Sequence, residues 1–227
     1  MRYKQFLTTI DGEEKRLGIL GECHLYTTQE SRFAEEIVLQ FENFAVEGTS
    51  KASVLGVIAD ISMLPAYICL SGIPERSPDN ATALQFARLY QLMTFELEDQ
   101  YRLTSLRAGA FVICGVTDIV ESPFAYFWLK KNGDPYTPGT KAYAKLKEQK
   151  EKPTLLSRIA DFATDVEGRD IKMALRSFEV LKTVPKNLLV SVGDHHLDGI
   201  VSHWHRMLPL EETRSVSEEE VAYKLCT

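Results

Sequence analysis

The stretch Leu188-Leu189-Val190-Ser191-Val192-Gly193-Asp194-His195-His196-Leu197 decides the fold class. Residues 188–192 are a nearly continuous apolar run, and the run stops at a glycine. That pattern reads as a buried strand entering a loop. Just upstream, Ile171, Ala174, Leu175, Phe178 and Leu181 recur at helical spacing, so an amphipathic helix over 169–182 feeds this strand. The front of the chain repeats the design. Leu17-Gly18-Ile19-Leu20-Gly21-Glu22-Cys23-His24-Leu25 is again an apolar run followed by Gly-x-x-His-Leu, with an acid directly after the glycine.

Working outward, residues 3–10 read as a strand and Asp11-Gly12 as a hairpin turn into a second strand, Lys15 to Gly21. Thr27-x-x-Glu30 has the form of a capping box. It precedes Phe33, Ile37, Val38 and Phe41 at helical spacing. Phe44-Ala45-Val46-Glu47-Gly48 reads as a short strand ending in a carboxylate, which completes a βαβ unit. A buried apolar helix, broken near Pro65, is expected over 54–73, a long helix from about Ala81 to Leu103, and a β-like segment over Ala110 to Val116. Residues 130–152 carry seven lysines against three acids and read as a surface loop leading into a solvated helix. Phe124, Tyr126, Phe127 and Trp128 are expected in the core. The expected fold is α/β, with a mixed central sheet, helices packed on it and a helical middle insertion at about 50–165. All of 1–227 is expected to form one domain.

The chain has 227 residues and a formal net charge of -6. A mildly acidic chain is a poor nucleic-acid binder, which needs a basic face. Its cysteines, Cys23, Cys69, Cys114 and Cys226, have long, irregular spacings with no C-x-x-C, so neither a zinc ribbon nor a thioredoxin-type motif is present. Reduced thiols in the cytoplasm are the expected state. Met1-Arg2-Tyr3-Lys4 opens a polar stretch rather than a signal core. The 54–73 segment carries Asp60 and Pro65 and no flanking basic cluster, so no membrane span is expected. Its apolar residues offer instead a core helix or a homodimer surface. No G-x-G-x-x-G, P-loop or G-x-S-x-G occurs.

Open α/β sheets place ligands outside the carboxyl ends of their strands. His24, Glu47 and His196 therefore have the right placement to converge on one crevice. Two imidazoles and a carboxylate suit a divalent metal with open positions. His195 competes with His196, because neighbouring side chains on an extended segment point opposite ways. Asp194 or Glu22 is expected to accept an imidazole N–H, and Glu22 has the alternative role of general base. Arg169 is expected to bind a substrate carboxylate or stabilise an oxyanion, with surface pairing to Asp165 or Glu167 as the other reading. Cys23 reads as a buried inert thiol, and His203 and His205 as surface residues.

The chain resembles the TraB/PrgY–GumN–Tiki superfamily, whose wider relatives include ChaN-like and erythromycin-esterase-like proteins. The resemblance rests on Gly21-Glu22-Cys23-His24, then Glu47, then Arg169-Asp170-Ile171-Lys172-Met173-Ala174, then Gly193-Asp194-His195-His196-Leu197-Asp198-Gly199. It spans about 17–200, and no motif falls in the middle. One departure is Glu22, where the family more often has a small residue or Thr. The resemblance implies a mixed α/β fold and a metal-dependent hydrolase site acting on a small peptide, amide or ester. The metal set would be His24, Glu47 and His196, with Glu22, Glu47, Arg169 and Asp194 in catalytic roles. The alternative is a non-catalytic haem- or ligand-binding module, or a peptide-sequestering regulator of the same fold.

Overall fold

The computed structural model describes residues 1–23, 25–47, 69, 73, 76–77, 79–98, 105–217 and 220–221. β1 (Arg2–Ile10) and β2 (Glu13–Glu22) form an antiparallel hairpin. Asp11 and Gly12 turn it with φ of 52° and 83°, the left-handed pair that a two-residue hairpin turn requires. The Thr27 capping box opens α1 (Thr28–Val38), satisfying two end amides reciprocally. Phe41 lies just past this helix, buried rather than helical. β3 (Asn43–Val46) follows.

The region expected as one helix over 81–103 is instead α2 (Ala83–Leu89) and β4 (Met93–Glu96). Thr82 caps the start of α2, and Gln91 adopts a φ of 58° just past its end. That left-handed residue turns the chain back, so Met93 to Glu96 pair in parallel with Asn43 to Val46. The gain of a sheet partner outweighs the helical propensity of a short segment.

Later come α6 (Val166–Thr183), β5 (Asn187–Gly193), α7 (Leu197–Met207) and β6 (Glu211–Val216). A single 3₁₀ turn, Asp194–His196, joins β5 to α7. The helices between β4 and α6 take the labels α3 to α5. The fold class is α/β with a mixed central sheet, in the order β4-β3-β5-β2-β1-β6. β4, β3, β5 and β2 are mutually parallel, whereas β1 pairs antiparallel with both neighbours.

Both faces of the sheet are covered. On one side Phe33, Ile37, Val38, Phe86 and Ala87 of α1 and α2 pack on Tyr3, Leu20, Phe44 and Leu189. On the other, Met173, Ala174, Leu181, Ile200 and Trp204 of α6 and α7 pack on Phe6, Leu17, Ile19, Leu188 and Val190. Alternate residues of β5 thus feed opposite cores, which is why its sequence is almost entirely apolar. Trp204 Nε1 donates to Ser177 Oγ at 3.1 Å, which pins α7 to α6.

The chain divides into two compact units. The sheet and its helices belong to the first, made of 1–49, 79–99 and 167–227. The second comprises 50–78 and 100–166. Its described helices are α3 (Ser105–Asn132), α4 (Lys141–Glu151) and α5 (Leu155–Thr164). The strand expected at Ala110 to Val116 lies inside α3, where a helix of 28 residues satisfies its own backbone groups without a sheet partner. Within this unit Arg76 and Asp134 form a buried ion pair at 2.8 Å, and Tyr136 N and Thr137 Oγ also donate to Asp134. Most of the 54–73 segment lies outside the described residues. No helix among the described residues is long and apolar enough to cross a membrane.

Candidate functional site

The four parallel strands deliver their carboxyl ends to one edge of the sheet. β2 ends at Glu22, β5 at Gly193, and β3 and β4 run directly into Glu47 and Leu97-Glu98. Backbone bonds hold these exits in step. Glu47 N donates to Ser191 O at 3.0 Å and Leu97 N to Val46 O at 2.9 Å. Residues distant in sequence therefore meet here because the strands are parallel and in register.

His196 is fully buried. Its Nδ1 lies 2.5 Å from Asp170 Oδ1, on α6. A carboxylate only accepts, so Nδ1 carries a proton, and in the neutral ring Nε2 then keeps the lone pair. His196 Nε2 is buried with no hydrogen-bond partner among the described residues, and the Glu47 carboxylate faces it, with Oε1 at 3.8 Å. Asp170 is itself buried against the backbone of α7. A Cβ at Gly199 would fall 1.8 Å from Asp170 Oδ2, so the glycine permits the close approach.

Glu47 is clamped from two sides. Its Oε2 accepts from Gly193 N at 2.9 Å, and its Oε1 accepts from Arg169 Nη2. Burial would raise the Glu47 carboxyl, but the charges of Arg169 and His196, the Gly193 N–H and His195 outweigh it and hold it below its ordinary value. Arg169 also donates to Glu98, at 3.0 Å from Nε and 2.8 Å from Nη2. The guanidinium thus sits between two carboxylates. Burial works against its charge, yet these acids raise its pKa further.

On the other side of the edge, Ser191 Oγ donates to Glu22 Oε1, and Tyr26 hydrogen-bonds the same carboxyl. Burial pushes Glu22 up to about 7. The Ser191 and Tyr26 bonds oppose the rise, and the charges of Glu47 and Glu30 add to it. Cys23 is buried, with Sγ 3.4 Å from Glu30 Oε1.

The structure brings together Glu47, Arg169 and His196, with Glu22 near enough to Glu47 to feel its charge. His24 lies outside the described residues. His195 lies against His196, with ring centroids 3.9 Å apart and planes tilted by 43°, and its Cε1 is the atom nearest to a Cβ built at Gly193. Asp194 does not accept the His196 N–H. Arg2 donates to Asp194 Oδ1 at 2.8 Å and to its carbonyl at 2.7 Å. It also reaches Asp198 Oδ2 at 2.6 Å, so the two acids tie the start of α7 to β1. The imidazole acceptor is Asp170, because α6 packs against α7 and presents it there. Arg169 pairs across the site with Glu47 and Glu98. Asp170, Glu98 and Ser191 are participants that the sequence reading did not assign. Asp170 stands beside Arg169 in the quoted helix motif, and Ser191 is the lone polar residue of an apolar run, so each left a trace. Glu98 left none.

Among the described residues, no group of three or more His, Cys, Asp or Glu is arranged to hold a metal ion. The pair Glu47 and His196 does fit two ligands of a common ion. Ligands each about 2.1 Å from one ion lie at most about 4.2 Å apart, and these are 3.8 Å apart. Compared with protein families, curated proteins and solved structures, the chain finds no match.

Proposed function

We propose that this chain is a metal-dependent hydrolase of a small peptide, amide or ester, of the TraB–GumN–Tiki type it resembles, working in the cytoplasm. The observation that supports it is the His196 imidazole. It is fixed at Nδ1 by Asp170 and unpartnered at Nε2 among the described residues, and Nε2 faces Glu47. A carboxylate behind a histidine fixes the ring and raises its basicity toward an ion on the other nitrogen. His196 Nε2 and Glu47 Oε1 would hold the ion, with His24 as the third ligand. A divalent ion there supplies Lewis acidity to a substrate carbonyl and to water.

The protein's own groups divide the remaining work. Gly193 N–H holds Glu47 in one orientation. Arg169, braced by Glu98, presents a fixed positive charge beside the reacting carbonyl and meets negative charge as it develops there. Glu22 holds or releases a proton at its carboxyl. A group titrating at about 7 is present in both forms at neutral pH, as a general acid–base group needs to be.

The test is elemental analysis of purified protein, followed by titration of His24→Ala and His196→Ala with zinc, manganese and cobalt ions. The expected result is uptake of one ion by the native chain and loss of that uptake in both variants. No uptake by the native protein sinks the reading.

A further inference from the structure

α3 carries an apolar stripe on its surface. Leu106, Ile113, Val116, Val120, Phe124 and Phe127 are 74, 53, 57, 64, 77 and 70% exposed. Phe124 and Phe127 were expected in the core and instead stand out from the helix. The spacing is that of a heptad seam. Leu106, Ile113, Val120 and Phe127 occupy one position of the repeat, and Gly109, Val116 and Pro123 the other. Phe124 flanks the seam, and a Cβ built at Gly109 meets nothing within 4 Å. The stripe runs about 32 Å at 1.5 Å per residue.

We infer that this seam is an interface between two copies of the chain, paired antiparallel through α3. Three observations select a second copy as the occupant.

Area is the first. Scaled by their exposures, the two phenylalanines bring roughly 250 Å² and the four aliphatic side chains roughly 300 Å². That exceeds the about 400 Å² of contiguous apolar surface that marks an interaction site. It is about two thirds of the about 800 Å² that each partner of a standard interface buries.

The second is the seam's width. The exposed apolar residues fall at the two seam positions with Phe124 at the position beside them, which is the width of a helix face that packs against other protein. Charge is the third. From 106 to 127 the charged residues are Arg107, Asp118 and Glu121, and all three fall at outer positions of the repeat. No like charges therefore oppose each other across a self-paired seam.

The lysines set the direction. Lys130 and Lys131 end the helix, and the 130–152 segment that follows has a net charge of +4. A parallel pair would set these lysines against their own copies, whereas an antiparallel pair puts them at opposite ends. The two-fold axis then passes beside Val116, which meets its own copy.

Sedimentation equilibrium of the full chain tests this. The native protein is expected as a dimer, and Val116→Glu and Val116→Lys each as monomers with unchanged circular dichroism. Mixing the two variants is expected to restore a dimer, because opposite charges then meet at the axis. The mixing step separates pairing from misfolding, since a damaged fold would not recover. A monomeric native chain overturns the inference, as does a mixture that stays monomeric. Flotation of a monomeric native chain with phosphatidylserine vesicles also overturns it, and assigns the stripe to a membrane surface.

Discussion

Asp170 Oδ1 stands 2.5 Å from His196 Nδ1, and this contact selects which nitrogen of the imidazole faces Glu47. Asp170→Asn keeps the side-chain shape but removes the charged acceptor. Metal affinity is expected to fall about 10–100-fold, as for other carboxylates placed behind a ligating histidine. Competition with a chromophoric chelator measures it. An unchanged affinity would show that the contact is structural only.

Gly199→Ala attacks the same contact from behind. The new methyl carbon would lie 1.8 Å from Asp170 Oδ2, so either α7 or the carboxylate must move. Overpacking of this kind costs about 1–3 kcal/mol. Urea titration is expected to show that loss. Adding Asp170→Ala to Gly199→Ala should recover part of it, so the two changes are non-additive.

Arg169→Met leaves Glu47 and Glu98 facing each other without their shared cation. Breaking a fully buried pair costs about 3–5 kcal/mol. Arg169 retains 18% exposure, so about 1–3 kcal/mol is expected after screening. The pH dependence carries the sign. In the native chain Glu47 is held below its ordinary value. Its contribution is therefore present above the unfolded carboxylate pKa and is lost as pH falls through the folded one. The variant should lose less stability than the native protein on acidification. Parallel urea curves across acid and neutral pH decide it.

Glu22 titrates in the opposite sense. Its folded carboxyl is raised from 4.5 to about 7. Its contribution is thus fully present below 4.5 and is lost as pH rises toward 7. In metal-free protein, Glu22→Gln is expected to gain stability relative to native as pH rises through this window, by on the order of 3 kcal/mol at most. Two parallel stability–pH profiles would rule the idea out.

Much of the sheet was legible because burial on both faces leaves strands with no polar alternation. The strand at Leu188 to Val192, the Asp11-Gly12 turn and the Thr27 capping box each state their structure locally. β4 does not, since Met93 to Glu96 become a strand only beside β3. Ala110 to Val116 misleads for the converse reason. Its β-branched residues suit a strand, but they sit in a long helix whose stripe faces outward. In the site, strand ends pointed to Glu47 and His196. Asp170 and Glu98 depend on how α6 and β4 are placed in space, which spacing along the chain does not encode.

β5 is the strand that joins the halves of the sheet, with β2 on one side and β3 on the other. It is also the last of the parallel strands to be synthesised. While the ribosome is still making the preceding residues, the β1–β2 hairpin and the β3–β4 pair have no common partner. Both then present open edges to the cell. Closure waits for contacts of long sequence separation, which form slowly. A nascent chain stalled before residue 187 would therefore be a client for chaperones, and the site at the strand ends would come into being in a single late step.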